Sequence, residues 1–255
     1  MGTIKTKEQI ELMRAAGRVW ASVMDLLAEN VRPGVSLKDL DEIARGSIEK
    51  AGMHPSFLGY KPAWANESYP ASICTSVNDV VVHGVPDDYE LSDGDLLSID
   101  MGVENQGWHC DAARSFAVGN VDKKIHNLMN VTRLALDAGI AAAKPGNRLG
   151  DIGHAIESVI LEHGMYVVDS LTGHGIGNKL HEGPTVFNFG DAGTGAELVA
   201  GICLAIEPMV AIGTGKIVER RDGAFLTKDG SLAAHFEDTI VITPSGAEVI
   251  TASSL

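Results

Sequence analysis

The chain has 255 residues, 45% of them hydrophobic, and a formal net charge of −14. That length is enough to bury most of its apolar surface in one large domain or two small ones. The acidic balance disfavours sequence-specific nucleic acid or an anionic membrane as a principal partner, because both attract basic surfaces.

Three scattered cysteines, Cys74, Cys110 and Cys203, argue against a disulfide framework and for a reducing compartment. With no signal peptide and no apolar run of about 18 residues, a cytoplasmic location follows. Thr6-Lys7-Glu8-Gln9 is a capping box that opens a helix with Ile10, Met13, Trp20, Val23 and Leu27 on one face. The start MGTIKT also fits a myristoylation pattern, but the capping box explains the same residues without a lipid.

Segments 32–53 (RPGVSLKDLDEIARGSIEKAGM) and 144–165 (KPGNRLGDIGHAIESVILEHGM) echo each other without a gap at an offset of 112. Each starts at a Pro-Gly turn, continues as an amphipathic helix and ends at a glycine, Gly52 or Gly164. Each is preceded by another helix, the second built on Ile125, Leu128, Met129, Thr132 and Ile140, and is followed by strands and a carboxylate-bearing hairpin. The pattern predicts an α+β protein of two related helix-helix-strand halves, about 1–118 and 119–255, sharing one sheet as a single domain. Residues 61–70, with Pro62, Trp64 and Asn66, look like a surface insertion.

Asp100 and Asp111 lie in apolar strands on either side of the loop Glu104-Asn105-Gln106-Gly107. If Val103 pairs with Trp108, antiparallel register sets the two aspartates directly opposite one another, where like charges repel unless a cation holds them. Glu207 and Glu237 repeat the arrangement over a longer span centred on Asp222, beside Gly223 in a DG turn. That match is one residue off symmetric, which predicts a bulge, with Pro208 the place for pairing to break.

His174 stands in TGHGIG, which lacks the spacing of a dinucleotide or phosphate loop, and His181 follows seven residues on. Oxygen-rich ligation with one imidazole suits Mn, Fe(II), Co or Zn, and no CxxC suggests a structural zinc. A facing pair of carboxylate pairs can bridge two such ions and activate water, which implies hydrolysis.

SVNDVVVHGVP (76–86), SIDMGVENQGWHCDAARSF (98–116), TGHGIGNKLHEGP (172–184), AIEPM (205–209) and HFEDTI (235–240) together resemble the type I methionine aminopeptidases of the pita-bread fold. The likeness runs in order from Ile4 to Ile242. The sequence starts close to the catalytic region, without the zinc-binding extension of many eukaryotic relatives or the helical insertion of type II enzymes.

The resemblance implies a curved, mainly antiparallel sheet with helices on its outer face. It also implies removal of the initiator methionine from nascent chains when the second residue is small. By motif match the ligands of two divalent ions are Asp100, Asp111, His174, Glu207 and Glu237. A metal-bridging hydroxide would attack the first peptide bond, with Glu207 also carrying the proton, His181 contacting the developing oxyanion and His83 the leaving nitrogen.

Cys74 and Tyr60 match the family's methionine pocket. Phe57 stands where many relatives have a second cysteine, Leu180 where many have phenylalanine, and Tyr69 for another wall tyrosine. Ala224 or Phe225 takes the place of a tryptophan near the DG hairpin. His109 and His235, each two positions before a carboxylate of the set, read as packing residues. The implied partners are peptide N-termini beginning with Met and a transient ribosome contact, for a monomer. Aminopeptidase P and prolidase share the ligand set but carry a large N-terminal domain. A non-catalytic binding protein of this fold would have lost ligands, and a calcium site fits His174 poorly.

Overall fold

The computed structural model describes residues 2–61 and 67–253. Half of the predicted 61–70 insertion therefore lies outside the described residues, but its flanks meet: Tyr69 N donates to Tyr60 O at 2.8 Å and Gly59 N to Tyr69 O at 2.9 Å.

Among the described residues four helices, α1 (Lys7–Asn30), α2 (Leu37–Lys50), α3 (Lys123–Ala142) and α4 (Leu149–Glu162), alternate with two blocks of strands. α1 starts at the Thr6 capping box, with Gln9 N on Thr6 Oγ1 and Thr6 N on Gln9 Oε1. It buries Ile10, Met13, Trp20, Val23 and Leu27. α2 and α4 are in step with the sequence echo at both ends. Gly52 (φ +75°) and Gly164 (φ +68°) close them, and Met53 and Met165 N–H groups return to Ile48 O and Ile160 O, each at 3.2 Å. These helix ends are alike because only glycine turns there at low cost while leaving the next amide free to satisfy an orphan carbonyl.

Among the described residues all strand pairing is antiparallel, in four sheets. α1 and α2 pack on one apolar cluster with the Leu96–Asn105 and Trp108–Ala117 strands, and α3 and α4 on a second cluster with the later strands. Trp20 Nε1 donates to Met101 O at 2.7 Å, and the Arg114 guanidinium lies 4.8 Å from the Trp20 ring centre. Met101 and Arg114 therefore mark the helix side of these strands, and alternation sends Asp100 and Asp111 to the other side. The expected single sheet is interrupted into four sheets. Between the halves, the strands join where Val80–Val82 pairs with Phe225–Thr227 and at the isolated bridge of Ala113 to Glu237.

The hairpin register differs from the prediction. Asn105 pairs with Trp108 across a two-residue turn, Gln106 (φ +52°) and Gly107 (φ +82°), so Asp111 faces Gly102 and Asp100 faces Ala113. Both turn residues are left-handed, as the twist of a tight hairpin demands, so the turn is Gln106-Gly107 alone and not the four-residue loop that the sequence predicts. The slip is two residues, which preserves the face, so the two aspartates become diagonal neighbours instead of direct partners. In the second hairpin no bulge is needed. Ile206 pairs with Asp238 and Met209 with His235, an unshifted register that sets Glu207 opposite Glu237. The apparent asymmetry is absorbed at the apex, where Arg220 N donates to Ala224 O and the chain turns about Asp222 itself. Strand pairing does lapse at Glu207-Pro208, as Pro208 predicts.

Candidate metal centre and active site

One row of cross-strand neighbours carries the site. Cys74 pairs with Asp100, Asp100 with Ala113, Ala113 with Glu237, and Glu237 stands in register with Glu207. Side chains of directly paired residues share a face, so these groups project together, with the small Ala113 leaving room between Asp100 and Glu237. Asp111 joins them from the neighbouring position, its backbone held by Thr239, whose Oγ1 accepts from Asp111 N at 2.9 Å and donates to Asp111 O at 2.7 Å. His174 pairs with Ala205, two residues before Glu207, and its Nε2 lies 3.6 Å from Glu207 Oε1. The structure thus brings Asp100, Asp111, His174, Glu207 and Glu237 together from two halves of the chain.

These carboxylates are not balanced by protein cations. Arg114 is close, but it is engaged by Asp238 at 2.8 Å, both side chains 2% exposed, and by the Glu237 carbonyl at 2.6 Å. Asp100 Oδ1, Asp111 Oδ1 and Glu237 Oε1 are buried without a hydrogen-bond partner. Burial pushes the Asp100 carboxyl up to about 7. Burial together with neighbouring carboxylates pushes Asp111, Glu207 and Glu237 well above the usual range. The histidines move the other way, His174 down to about 4 and His235 to about 3, mainly through desolvation.

Neutral imidazoles beside orphaned carboxylate oxygens are a donor set that fits divalent cations, because a bound ion would satisfy every one of these groups at once. Among the described residues two triads meet this geometry, Asp111–His174–Glu237 and Glu207–His235–Glu237, each with ligand atoms within 4.8 Å of one another.

The site opens into a cavity of about 1060 Å³ lined by His83, His174, His181, Glu207, Met209 and Phe225, among others. His83 sits at φ +62°, its ring 5.6 Å from that of Phe225. Phe225, not the buried Ala224, therefore faces the cleft beside the DG hairpin. His181 is exposed at the cleft, stacked edge-on to His174 at 4.4 Å, and its Nδ1 shares a 2.7 Å hydrogen bond with Tyr60 Oη.

Phe57, Cys74 and Leu180 are buried in one cluster, with Tyr60 and Tyr69 packed against it, and none of the five lines the main cavity. They adjoin the carboxylates instead. Cys74 is the strand partner of Asp100, and Phe57 lies over Gly102, where an added Cβ would stand 3.0 Å from its ring. Tyr69 Oη donates to Gly84 O at 2.9 Å, next to His83. His109 packs as expected, with Nδ1 2.9 Å from Ser56 Oγ. His235 does not. Its imidazole points into the carboxylates, a placement that the even spacing from Glu237 signals only once Glu237 is known to face inward.

A sequence profile of metallopeptidase family M24 matches residues 11–244. The chain belongs to metallopeptidase family M24. Within that family it is 45% identical to the methionine aminopeptidase of Clostridium perfringens over 249 residues, 97% of this chain and 98% of the relative. The crystal structure of the methionine aminopeptidase from Rickettsia prowazekii superposes with a TM-score of 0.95 at 39% identity, covering 99% of this chain and 100% of that one. Prolidase from Pyrococcus furiosus shares the fold at a TM-score of 0.78 and 22% identity, with 99% of this chain matching 66% of the prolidase.

The pita-bread expectation is borne out by these neighbours, and this M24 peptidase is a hydrolase of the metallo-aminopeptidase kind. Divalent metal comes with the family, and the carboxylate and histidine clusters above are where this member offers ligands. Among the described residues no helix is long and apolar enough to cross a membrane.

Proposed function

We propose that this chain removes the N-terminal methionine from polypeptides whose second residue is small, using two divalent ions held by Asp100, Asp111, His174, Glu207 and Glu237. The observation that carries the reading is the row Asp100–Ala113–Glu237–Glu207, with its unpartnered oxygens, opening into the cavity that His83 and His181 line. The identity to methionine aminopeptidases supports the substrate. When bound, the ions would polarise the scissile carbonyl and supply hydroxide near neutral pH.

The residues of the chain do the rest. Glu207, ligand and carboxylate in one, moves the proton from water to the leaving amine. His181, oriented by Tyr60, hydrogen-bonds the developing oxyanion, and His83 contacts the leaving nitrogen. Phe57, Tyr60, Tyr69, Cys74 and Leu180 offer the thioether an apolar, polarisable wall. Residues 1–255 act as one catalytic domain with halves at about 1–118 and 119–255, as a cytoplasmic monomer that meets nascent chains at the ribosome.

The test is hydrolysis of Met-Ala-Ser against an Xaa-Pro peptide by chelated protein, with Mn, Fe(II), Co or Zn added back singly. Recovery on Met-Ala-Ser is expected with at least one ion. Recovery on Xaa-Pro alone would make the chain a prolidase in function, and no recovery with any ion would overturn the metal assignment.

A further inference from the structure

His235 has no role in the reading above, and its surroundings give it one. It ends the Ala233–His235 strand opposite Met209 and is 1% exposed. Its backbone is fixed on both sides by one hydroxyl: His235 N donates to Ser115 Oγ at 3.0 Å, and Ser115 Oγ donates to His235 O at 2.9 Å. Behind that, Ser98 Oγ lies 2.7 Å from Ser115 Oγ, so the anchor is itself tied to the strand that carries Asp100.

The ring nitrogen is placed as a ligand atom would be. Nε2 is buried and has no hydrogen-bond partner. It lies 3.7 Å from Glu237 Oε2 and 3.8 Å from Glu207 Oε2. An imidazole that simply hydrogen-bonded a carboxylate would sit at about 2.7–3.0 Å, and this one is held well outside that distance from both. Donors that share one ion at about 2.0–2.2 Å per bond stand about 3–4 Å apart. The spacing matches an ion between three donors and leaves Nε2 unsatisfied otherwise, which is costly for a polar atom so deeply buried.

We propose that His235 Nε2 is a further metal ligand, completing with Glu207 and Glu237 the coordination of one ion, so that the centre carries two imidazoles instead of one. This rests on the metal reading of the same site. It adds a nitrogen donor to an otherwise oxygen-rich position, which favours the borderline ions Zn, Co and Fe over Mn and Mg.

Cobalt-substituted protein tests the assignment directly. Proton NMR of the Co(II) form is expected to show two strongly shifted, solvent-exchangeable imidazole N–H resonances, one from His174 and one from His235. His235→Gln, which keeps a polar side chain, is expected to lose one of them and to weaken Co(II) or Zn(II) binding at one position at least tenfold by calorimetry, with a smaller loss for Mn(II).

A single shifted imidazole resonance in the wild-type Co(II) protein overturns the proposal, whatever the variant does. So does a folded His235→Gln protein that keeps both resonances and its affinities. Wild-type protein that cleaves Met-Ala-Ser yet shows one imidazole refutes only His235 ligation, whereas wild-type protein that binds no Co(II) refutes the metal centre as well.

Discussion

The backbone of Ala113 exchanges two hydrogen bonds with that of Glu237, at 3.0 and 3.3 Å, and so seats its methyl group between the carboxylates of Asp100 and Glu237. Ala113 is fully buried, and a longer side chain there would fill the space that the carboxylates enclose. Ala113→Leu is expected to lower divalent-ion affinity at least tenfold, about 1.4 kcal/mol. Overpacking is expected to cost about 1–3 kcal/mol in stability. Calorimetric titration with Mn or Co measures the first and urea unfolding the second. Unchanged affinity in folded Ala113→Leu protein would show that the ions bind elsewhere.

The same enclosure gives the metal-free protein a particular dependence on pH. Asp100 is raised to about 7, and Asp111, Glu207 and Glu237 are raised well above the usual range. A carboxylate raised in this way stabilises the fold below its unfolded pKa of about 4, and that contribution is lost as pH climbs through the folded value. His174 and His235, lowered to about 4 and about 3, work oppositely, adding stability as pH rises towards about 6.5. Above pH 7 the imidazoles are neutral in both states, and the carboxylates act alone. Chelated protein is therefore expected to lose stability from about pH 7 to about pH 8, for as long as folded-state carboxylates stay protonated where the unfolded ones are ionised. Metal-saturated protein is not. Urea midpoints with and without chelator decide it, and a chelated protein that is flat or gains stability over that interval contradicts the buried-carboxylate account.

Two histidine and carboxylate variants separate holding metal from using it. Glu207 lies 3.6 Å from His174 Nε2 and faces Glu237, whereas His83 is across the cavity against Phe225. Glu207→Ala is expected to lose both bound metal and turnover. His83→Ala is expected to retain metal and lose most of kcat. Metal content and steady-state rates on Met-Ala-Ser are the measurements, and full turnover with Ala or Asn at position 83 removes His83 from the chemistry.

Much of this was legible in the sequence because it depends on periodicity. The echo sets α2 and α4 in step with each other and ends them at Gly52 and Gly164, and alternation puts Asp100 and Asp111 on one face whichever way the hairpin turns. What the sequence did not disclose depends on single local choices. The Gln106-Gly107 turn looks unlike the Asn-Gly and Asp-Gly pairs that announce a two-residue loop, so the register slid by two. His235 looked like a packing residue because its face follows from Glu237, which belongs to no regular strand and is placed by one bridge to Ala113. Methionine-pocket residues were recognisable by motif alone: Phe57, Cys74 and Leu180 are ordinary core side chains until the strand beside them is seen to carry the metal carboxylates.

Lys5 provides the last test, because it acts on His181 from a distance. Its ammonium lies 2.8 Å from Glu182 Oε2, with the two side chains 1% and 8% exposed. Its stem runs so close beneath Gly177 that a Cβ there would come within 2.4 Å. Glu182 Oε1 also accepts from Lys179 N at 3.2 Å. The loop from Gly177 to Glu182, which presents His181, is thus fastened to the N-terminal strap through one buried ion pair. Removing one partner of such a pair leaves a buried charge uncompensated, at about 3–5 kcal/mol, while replacing both with apolar groups of similar volume is close to neutral. Lys5→Met is expected to destabilise the fold by that order and to lower kcat by loosening His181, with divalent-ion affinity unchanged. Lys5→Met combined with Glu182→Met is expected to regain most of the stability but not the rate, since His181 has lost its fastening either way. Unfolding curves, metal titration and kcat on the three proteins check the split. If the double variant regains full kcat, the ion pair serves stability alone and His181 is held by Tyr60.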